Sequence, residues 1–415
     1  MNKNRFCHSS AIQRHGEEHE SWFVGIKSPS KPFLAVSGLL MLAGILFLYS
    51  ASCYRSGISV FVKQFVIMIF SLIVSWLFVI RVNLDKLRKN LFPIFITAVV
   101  LLIAALILPA GRDNTHRWIA LGIFSFQPSD LAKIVLVLFF AQILNKDTFN
   151  DFKNSVFYTV RRILPAGLLI FLVLLGKDFG TPLLMSAAAV FMLYMGGVPR
   201  KHLLKLTLLF CIFFSAVLGY SYHTGGYRWE RLSSTVRYYL QTNPTVYRKD
   251  PKTGKEIIDN NYKDYIREGK GQQQWKATIA IGNGGLMGKG PGNSSINRIG
   301  QLSESYTDFI FSVMCEELGF ILIMFVIILY LAYVYLAFKI AWNTTDRFKQ
   351  LLASGCAFMI FMQAMIHMAV NLSLLPCKGI TLPFFSQGGS SILSTLIMTA
   401  LIANVSCKIT KKKAH

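Results

Sequence analysis

The sequence is short of charge, and shorter still of acid. Only 15% of its 415 residues are charged, against about 25% in an ordinary soluble domain, and just 20 are Asp or Glu. That composition excludes a water-soluble enzyme of this size. The seven cysteines (Cys7, Cys53, Cys211, Cys315, Cys356, Cys377 and Cys407) form no CxxC pair. A disulfide framework and a cysteine metal site are therefore excluded, and the thiols read as small core residues. Residues 1–32 are polar, so no cleavable leader is expected. The net charge of +23 comes without a basic, aromatic-interleaved patch in a soluble stretch, which excludes nucleic acid as a partner.

What the chain has instead is long apolar blocks. Hydrophobic residues make up 53% of it, and they gather in runs rather than alternating, the pattern of membrane spans. Ten runs are long enough to cross a bilayer or nearly so: 33–51, 60–80, 91–108, 131–145, 163–176, 181–197, 203–221, 318–338, 350–373 and 389–406. The fourth and fifth are short and should extend into flanking polar sequence. The expected fold is an all-α polytopic integral membrane protein of about ten transmembrane helices.

Basic residues set its orientation. The tail 1–32, the loops 81–90, 146–162, 198–205 and 339–350, and the tail 407–415 hold 23 of the 43 Lys and Arg. The opposite short loops hold only Arg55, Arg112, Arg117, Lys177 and Lys378. By the positive-inside rule both termini are cytoplasmic, and the basic face is suited to anionic membrane lipid. Spans 1–7 then fill 33–221, a large extracytoplasmic loop fills 222–308, and spans 8–10 fill 309–406. Within the loop, 223–240 is aromatic and basic and 241–271 reads as a solvent-exposed insertion.

Five stretches carry possible chemistry. In RWIALGIFSFQPSDLAK (117–133), Ser129 or Asp130 can cap a helix, and Trp118, Phe124 and Phe126 suit an interfacial belt. Arg117 and Lys133 in the same stretch could also meet a lipid-borne anion, and Lys133 at the top of a span needs a partner such as Asp130. Gly176–Thr181 is a tight turn carrying Lys177 and Asp178. Gly282–Ser294 is glycine-rich but fails the Walker pattern, since Lys289 is followed by Gly290. It either presents backbone N–H groups to a pyrophosphate or is a plain re-entrant or surface turn. Asn371–Ser391, with Lys378 and a Gly-Gly-Ser-Ser entry to the last span, is non-helical backbone of the kind tolerated where it is buried in protein or lines a cavity.

The fifth stretch is QLSESYTDFIFSVMCEELG (301–319). It places Glu304, Asp308, Glu316 and Glu317 at a bilayer edge, where a carboxylate is costly without a partner. Thr307 or Asp308 could cap the helix that follows. Capping does not account for the depth of Glu316 and Glu317, at least one of which should turn inward and meet Lys or Arg.

Together these stretches resemble the SEDS family (shape, elongation, division and sporulation), the polytopic peptidoglycan polymerases. The matching segments are RWIALGIFSFQPSDLAK, GKDFGTPLL, AIGNGGLMGKGPGNS, SESYTDFIFSVMCEELGF and LLPCKGITLPFFSQGGSS, in the family's order. The turn Pro376–Gly379 and the run Gly292–Ser294 are closer to the division branch than to the elongation branch. The resemblance implies a peptidoglycan glycosyltransferase that polymerises lipid II, with Asp308 as the catalytic residue, either the base itself or a metal-linked organiser of it. It implies substrate binding by Arg117, Trp118, Lys133, Asp178, Arg228, Arg231, Lys378 and Ser390, and support from Glu304, Glu316 and Glu317. No cofactor is required, though Mg²⁺ or Mn²⁺ could share the phosphate charge. The implied partners are a class B penicillin-binding protein, the transpeptidase, and other divisome proteins, at the septum of a bacterial inner membrane. A lipid II flippase, the elongation-type polymerase and a non-catalytic scaffold are the alternatives.

Overall fold

A computed structural model describes residues 30–53, 57–108, 117–121, 124–145, 156–176, 178, 180–223, 246–249, 256–259, 272–298, 302, 304–375 and 379–412. The ten apolar runs each coincide with a helix among these residues. The helices are α1 (Ser30–Cys53), α2 (Gly57–Arg81), α4 (Leu91–Ile107), α5 (Pro128–Ile143), α6 (Val156–Leu175), α7 (Gly180–Met195), α8 (Arg200–His223), α11 (Ile310–Trp342), α12 (Arg347–Asn371) and α13 (Gly389–Lys412). Short helices α3 (Leu84–Lys89), α9 (Gln272–Gly284) and α10 (Ser295–Arg298) lie between them. Two small antiparallel hairpins, β1–β2 (Ile119–Leu121 with Phe124–Phe126) and β3–β4 (Val246–Lys249 with Glu256–Asp259), complete the described elements. By length and composition, α1, α2, α6, α11, α12 and α13 can cross a membrane; α4 and α7 are shorter apolar helices.

Local chemistry fixes the helix starts. Pro128 occupies the first turn of α5, where its missing N–H costs nothing. The residue before it, Gln127, is the N-cap and makes no side-chain cap bond, so neither Ser129 nor Asp130 caps this helix. Asp346 caps α12 by accepting from the Phe348 and Lys349 amides. The fifth run extends back to Val156 and takes in Arg161 and Arg162, whereas the fourth gains only a turn from Pro128.

Two helices are central: α12 and α13 are mostly buried, while α2 and the apolar part of α11 present most of their surface outward. That is the distribution expected of a bundle whose rim is solvated by lipid. The helices are tied at both ends. At one end the Arg347 guanidinium donates to the carbonyls of Leu144 (3.2 Å) and Gly196 (2.8 Å), just past the C-termini of α5 and α7. At the other end stand the first turns of α5, α7, α11 and α13 and the last turn of α12.

That second end is organised by a non-helical segment, 379–388, driven into the protein. Leu382, Phe384 and Phe385 are buried in the main core. The Tyr330 hydroxyl donates to the Pro383 carbonyl, and Phe384 packs edge-on against Tyr333. A side chain at Gly44 of α1 would collide with the Phe384 carbonyl, so the close approach requires glycine there. Backbone of this kind survives at membrane depth because protein, rather than lipid, surrounds it.

Candidate active site

The acidic stretch enters α11 through a turn, not a helix. Glu304 sits at φ 58°, and its carbonyl accepts from the amides of Thr307 (3.2 Å), Asp308 (3.1 Å) and Phe309 (3.2 Å). The N-cap of α11 is Phe309, with no side-chain cap bond, so neither Thr307 nor Asp308 is the N-cap residue of this helix. Glu304 is exposed and takes the Thr307 hydroxyl at 2.9 Å; it does not share a helical face with Asp308.

Asp308 is half-buried, and its backbone is held by neighbouring elements. Its carbonyl accepts from Asn371 Nδ2 (3.0 Å). The same Asn371, fully buried at the end of α12, takes the Ser312 hydroxyl (2.7 Å) and amide (3.2 Å) on its Oδ1. On the other side the turn is held to 379–388: Ser386 Oγ donates to the Thr307 carbonyl (2.7 Å) and the Gln387 amide to the Tyr306 carbonyl (2.9 Å). The Asp308 carboxylate lies against Gly379, where an added Cβ would stand 3.1 Å from Oδ2. That glycine follows Lys378, which lies outside the described residues, as do Arg228 and Arg231.

The remaining named residues divide. Asp130 and Lys133, both buried, form an ion pair at 2.8 Å. Lys133 Nζ also donates to Gln363 Oε1 (3.0 Å), and Gln363 Nε2 donates to the Thr381 carbonyl (2.9 Å) and hydroxyl (3.1 Å). Thr381 meets Ser391, and the Ser390 hydroxyl returns to Asp130 Oδ2 at 2.6 Å. The circuit is closed: Lys133 and Ser390 are held inside the protein, where their polar atoms brace 379–391 between α5, α12 and α13. Asp178 is buried and caps α7, accepting from the Gly180 and Thr181 amides and the Thr181 hydroxyl. Arg117 and Trp118 are partly exposed at the start of the β1–β2 hairpin, and Arg117 Nε has no hydrogen-bond partner among the described residues.

Glu316 and Glu317 both turn inward, and the glycine-rich stretch explains them. Lys289 Nζ reaches Glu316 Oε1 at 2.6 Å, and the Ser294 hydroxyl and Ser295 amide complete that carboxylate. Glu317 takes the Ser50 hydroxyl at 2.6 Å, and Ser50 in turn accepts from the Gly292 amide. The amides of Lys289 and Gly290 donate to the carbonyls of Glu316 and Glu317. Those N–H groups are therefore occupied, and this part of the turn is docked on α11 rather than open as a pyrophosphate cradle.

Reading the sequence alone missed Gln363, His367 and Asn371. They recur every fourth residue on α12, so they share one helical face, a polar stripe that the apolar run conceals. His367 Nδ1 meets the Ile380 carbonyl at 2.6 Å and thereby steadies the residue after Gly379. No group of three or more His, Cys, Asp or Glu assembles a metal site among the described residues. Asp308 alone with substrate phosphates would still match how Mg²⁺ is commonly held, by one or two carboxylates and phosphate oxygens.

Over residues 31–411 the sequence matches the family model FtsW/RodA/SpoVE, described as cell cycle protein. The chain belongs to this family. It is 31% identical over 387 residues to the probable peptidoglycan glycosyltransferase FtsW of Hydrogenovibrio crunogenus, covering 92% of this chain and 90% of that one. Against the protein of the same name from Borreliella burgdorferi it is 31% identical, with 79% and 81% covered. The rod shape determining protein RodA of Thermus thermophilus shares its fold, at a TM-score of 0.63, 22% identity and coverage of 91% and 96%. So does a chain from a structure of a peptidoglycan synthase complex that coordinates polymerization and crosslinking, at 0.71, 23%, 91% and 97%. The resemblance carried by the five motifs therefore holds, and with its long apolar helices this FtsW/RodA/SpoVE member is a multi-pass membrane protein.

Proposed function

We propose that the chain is a peptidoglycan glycosyltransferase that polymerises lipid II, with Asp308 as the base. The observation that carries this reading is the setting of Asp308: a partly buried aspartate on a backbone held from two sides by Asn371 and Ser386, with its carboxylate against Gly379. Polymerisation joins the anomeric carbon of the lipid-linked glycan to the 4-hydroxyl of the incoming sugar, with loss of lipid pyrophosphate. Asp308 accepts the proton of that hydroxyl as the new C–O bond forms, a role worth ~10²–10⁴ in rate. Lys378, Arg117, Arg228 and Arg231 are the cations for the departing pyrophosphate. A divalent ion, when bound, would supply further charge neutralisation there. Lys133, Asp130, Asp178, Ser390, Glu316 and Glu317 act behind this layer, as braces of the segments that carry it.

The reading includes ten spans, cytoplasmic termini, a bacterial inner membrane and the division septum, and a class B penicillin-binding protein as partner. Its nearest rival is lipid II flipping, which calls for charged groups along a mid-membrane path. Against that, the buried Asp, Glu and Lys among the described residues all belong to segments at the Asp308 end of the bundle. The test is purified protein in vesicles given labelled lipid II. Glycan strands resolved by electrophoresis are the expected product, and transfer of label across the bilayer without polymer would overturn the assignment. Co-purification of the transpeptidase from the same membranes tests the partner.

A further inference from the structure

The glycine-rich turn carries two large apolar side chains that neither the fold nor the chemistry above uses. Leu286 and Met287 sit between Gly285 (φ 54°) and Gly288 (φ 78°), and they are 67% and 78% exposed. Single exposed apolar residues need no explanation. These two adjoin a larger surface. The Phe320 amide donates to the Gly285 carbonyl (2.9 Å) and the Ile321 amide to the Leu286 carbonyl (3.2 Å). The turn is thereby level with Phe320, Ile321 and Leu322, each at least half exposed on the outward face of α11.

The position of that level in a bilayer follows from α11. Its break at Gly319 (φ 70°) is followed by 19 residues without charge, Phe320 to Phe338, and then Lys339. At 1.5 Å per residue these span roughly 28 Å, close to the ~30 Å hydrocarbon thickness. Phe320 must then stand at one edge of the hydrocarbon and Lys339 at the other. The charge nearest the turn is already taken up, since the Lys289 ammonium is bound to Glu316 and Ser295.

We propose that the turn Gly285–Gly288 is a membrane anchor whose Leu286 and Met287 side chains lie among lipid acyl chains. The large loop after α8 then dips back to the bilayer at α9 instead of passing over it. Continuity with the lipid-facing surface of α11 selects lipid as the occupant, in preference to a partner protein or a second copy of this chain.

Two measurements test it on the purified full chain in vesicles of phosphatidylethanolamine and phosphatidylglycerol. In the unaltered protein, a membrane-impermeant methionine oxidant should modify Met287 as slowly as Met324, which faces outward within α11. Oxidation of Met287 several-fold faster than Met324 would overturn the proposal. Irradiation of a Met287→p-benzoylphenylalanine variant should give lipid adducts several-fold above those of an Asn343→p-benzoylphenylalanine control at the exposed end of α11. Adducts to a second protein chain, or lipid adducts no higher than the control, would overturn it.

Discussion

At the residue scale, hydrogen bonds to the Asp308 carbonyl and amide hold its backbone in place. Asn371 bonds both the Asp308 carbonyl and the first turn of α11. Truncating it to alanine strands a buried carbonyl and a buried hydroxyl, at a cost of about 1–3 kcal/mol. The Asn371→Ala protein should therefore melt earlier. In assays with the folded fraction it should lose kcat more than KM, because the carboxylate is displaced and not removed. At the opposite end of the bundle, burial pushes the Asp346 carboxyl up, but the Lys349 ammonium and the Lys349 and Phe348 amides more than offset it and hold it below its ordinary 3.8. A depressed carboxyl stabilises the fold above the unfolded pKa and loses that contribution as pH falls through the folded one. Asp346→Asn keeps a capping side chain and removes only the charge. Its thermal midpoint should lie below that of the wild type at pH 7, with the gap closing as the pH falls well under 3.8.

At the scale of elements, the segment 379–391 is stable only because a closed polar circuit surrounds it. Lys133→Met removes one charge of a buried pair and leaves Asp130 behind, which costs about 3–5 kcal/mol. Thermal unfolding in detergent should show that loss, and the double variant Asp130→Leu, Lys133→Met should recover part of it. The glycine-rich turn offers the complementary test. A side chain at Gly288 meets the Glu317 carbonyl and the Gly319 amide, and φ there is 78°. Gly288→Ala should therefore weaken the docking of 284–293 on α11, read as faster proteolysis of the loop. Long apolar runs made the ten helices legible, since nothing else in a chain of 20 acids looks like them. The break at Gly319 was not legible, because its cause is the turn at 285–290, some thirty residues away. Asp308 and the buried glutamates stood out in the sequence because acid is so scarce. The side chains that hold them did not, since Ser50, Ser294 and Asn371 are ordinary residues until the fold brings them in.

At the scale of the whole molecule, the two ends of the bundle are held by different contacts, and the chemistry proposed above belongs to the second. Arg347 and the Asp346 cap tie helix ends at the first. At the second, the circuit through Lys133, the Asn371 clamp and the Glu316–Lys289 pair converge on the segments beside Asp308. Among the described residues the buried Asp, Glu and Lys lie in segments at the Asp308 end, and we propose that they frame one reacting carboxylate. The most direct test compares glycan-strand formation from lipid II by wild type and Asp308→Asn, at equal amounts of folded protein. The substitution keeps the side chain's shape against Gly379 and abolishes its basicity. The account predicts a fall of ~10²–10⁴ in rate with the thermal midpoint preserved. Polymerisation by Asp308→Asn within a few-fold of wild type would contradict it.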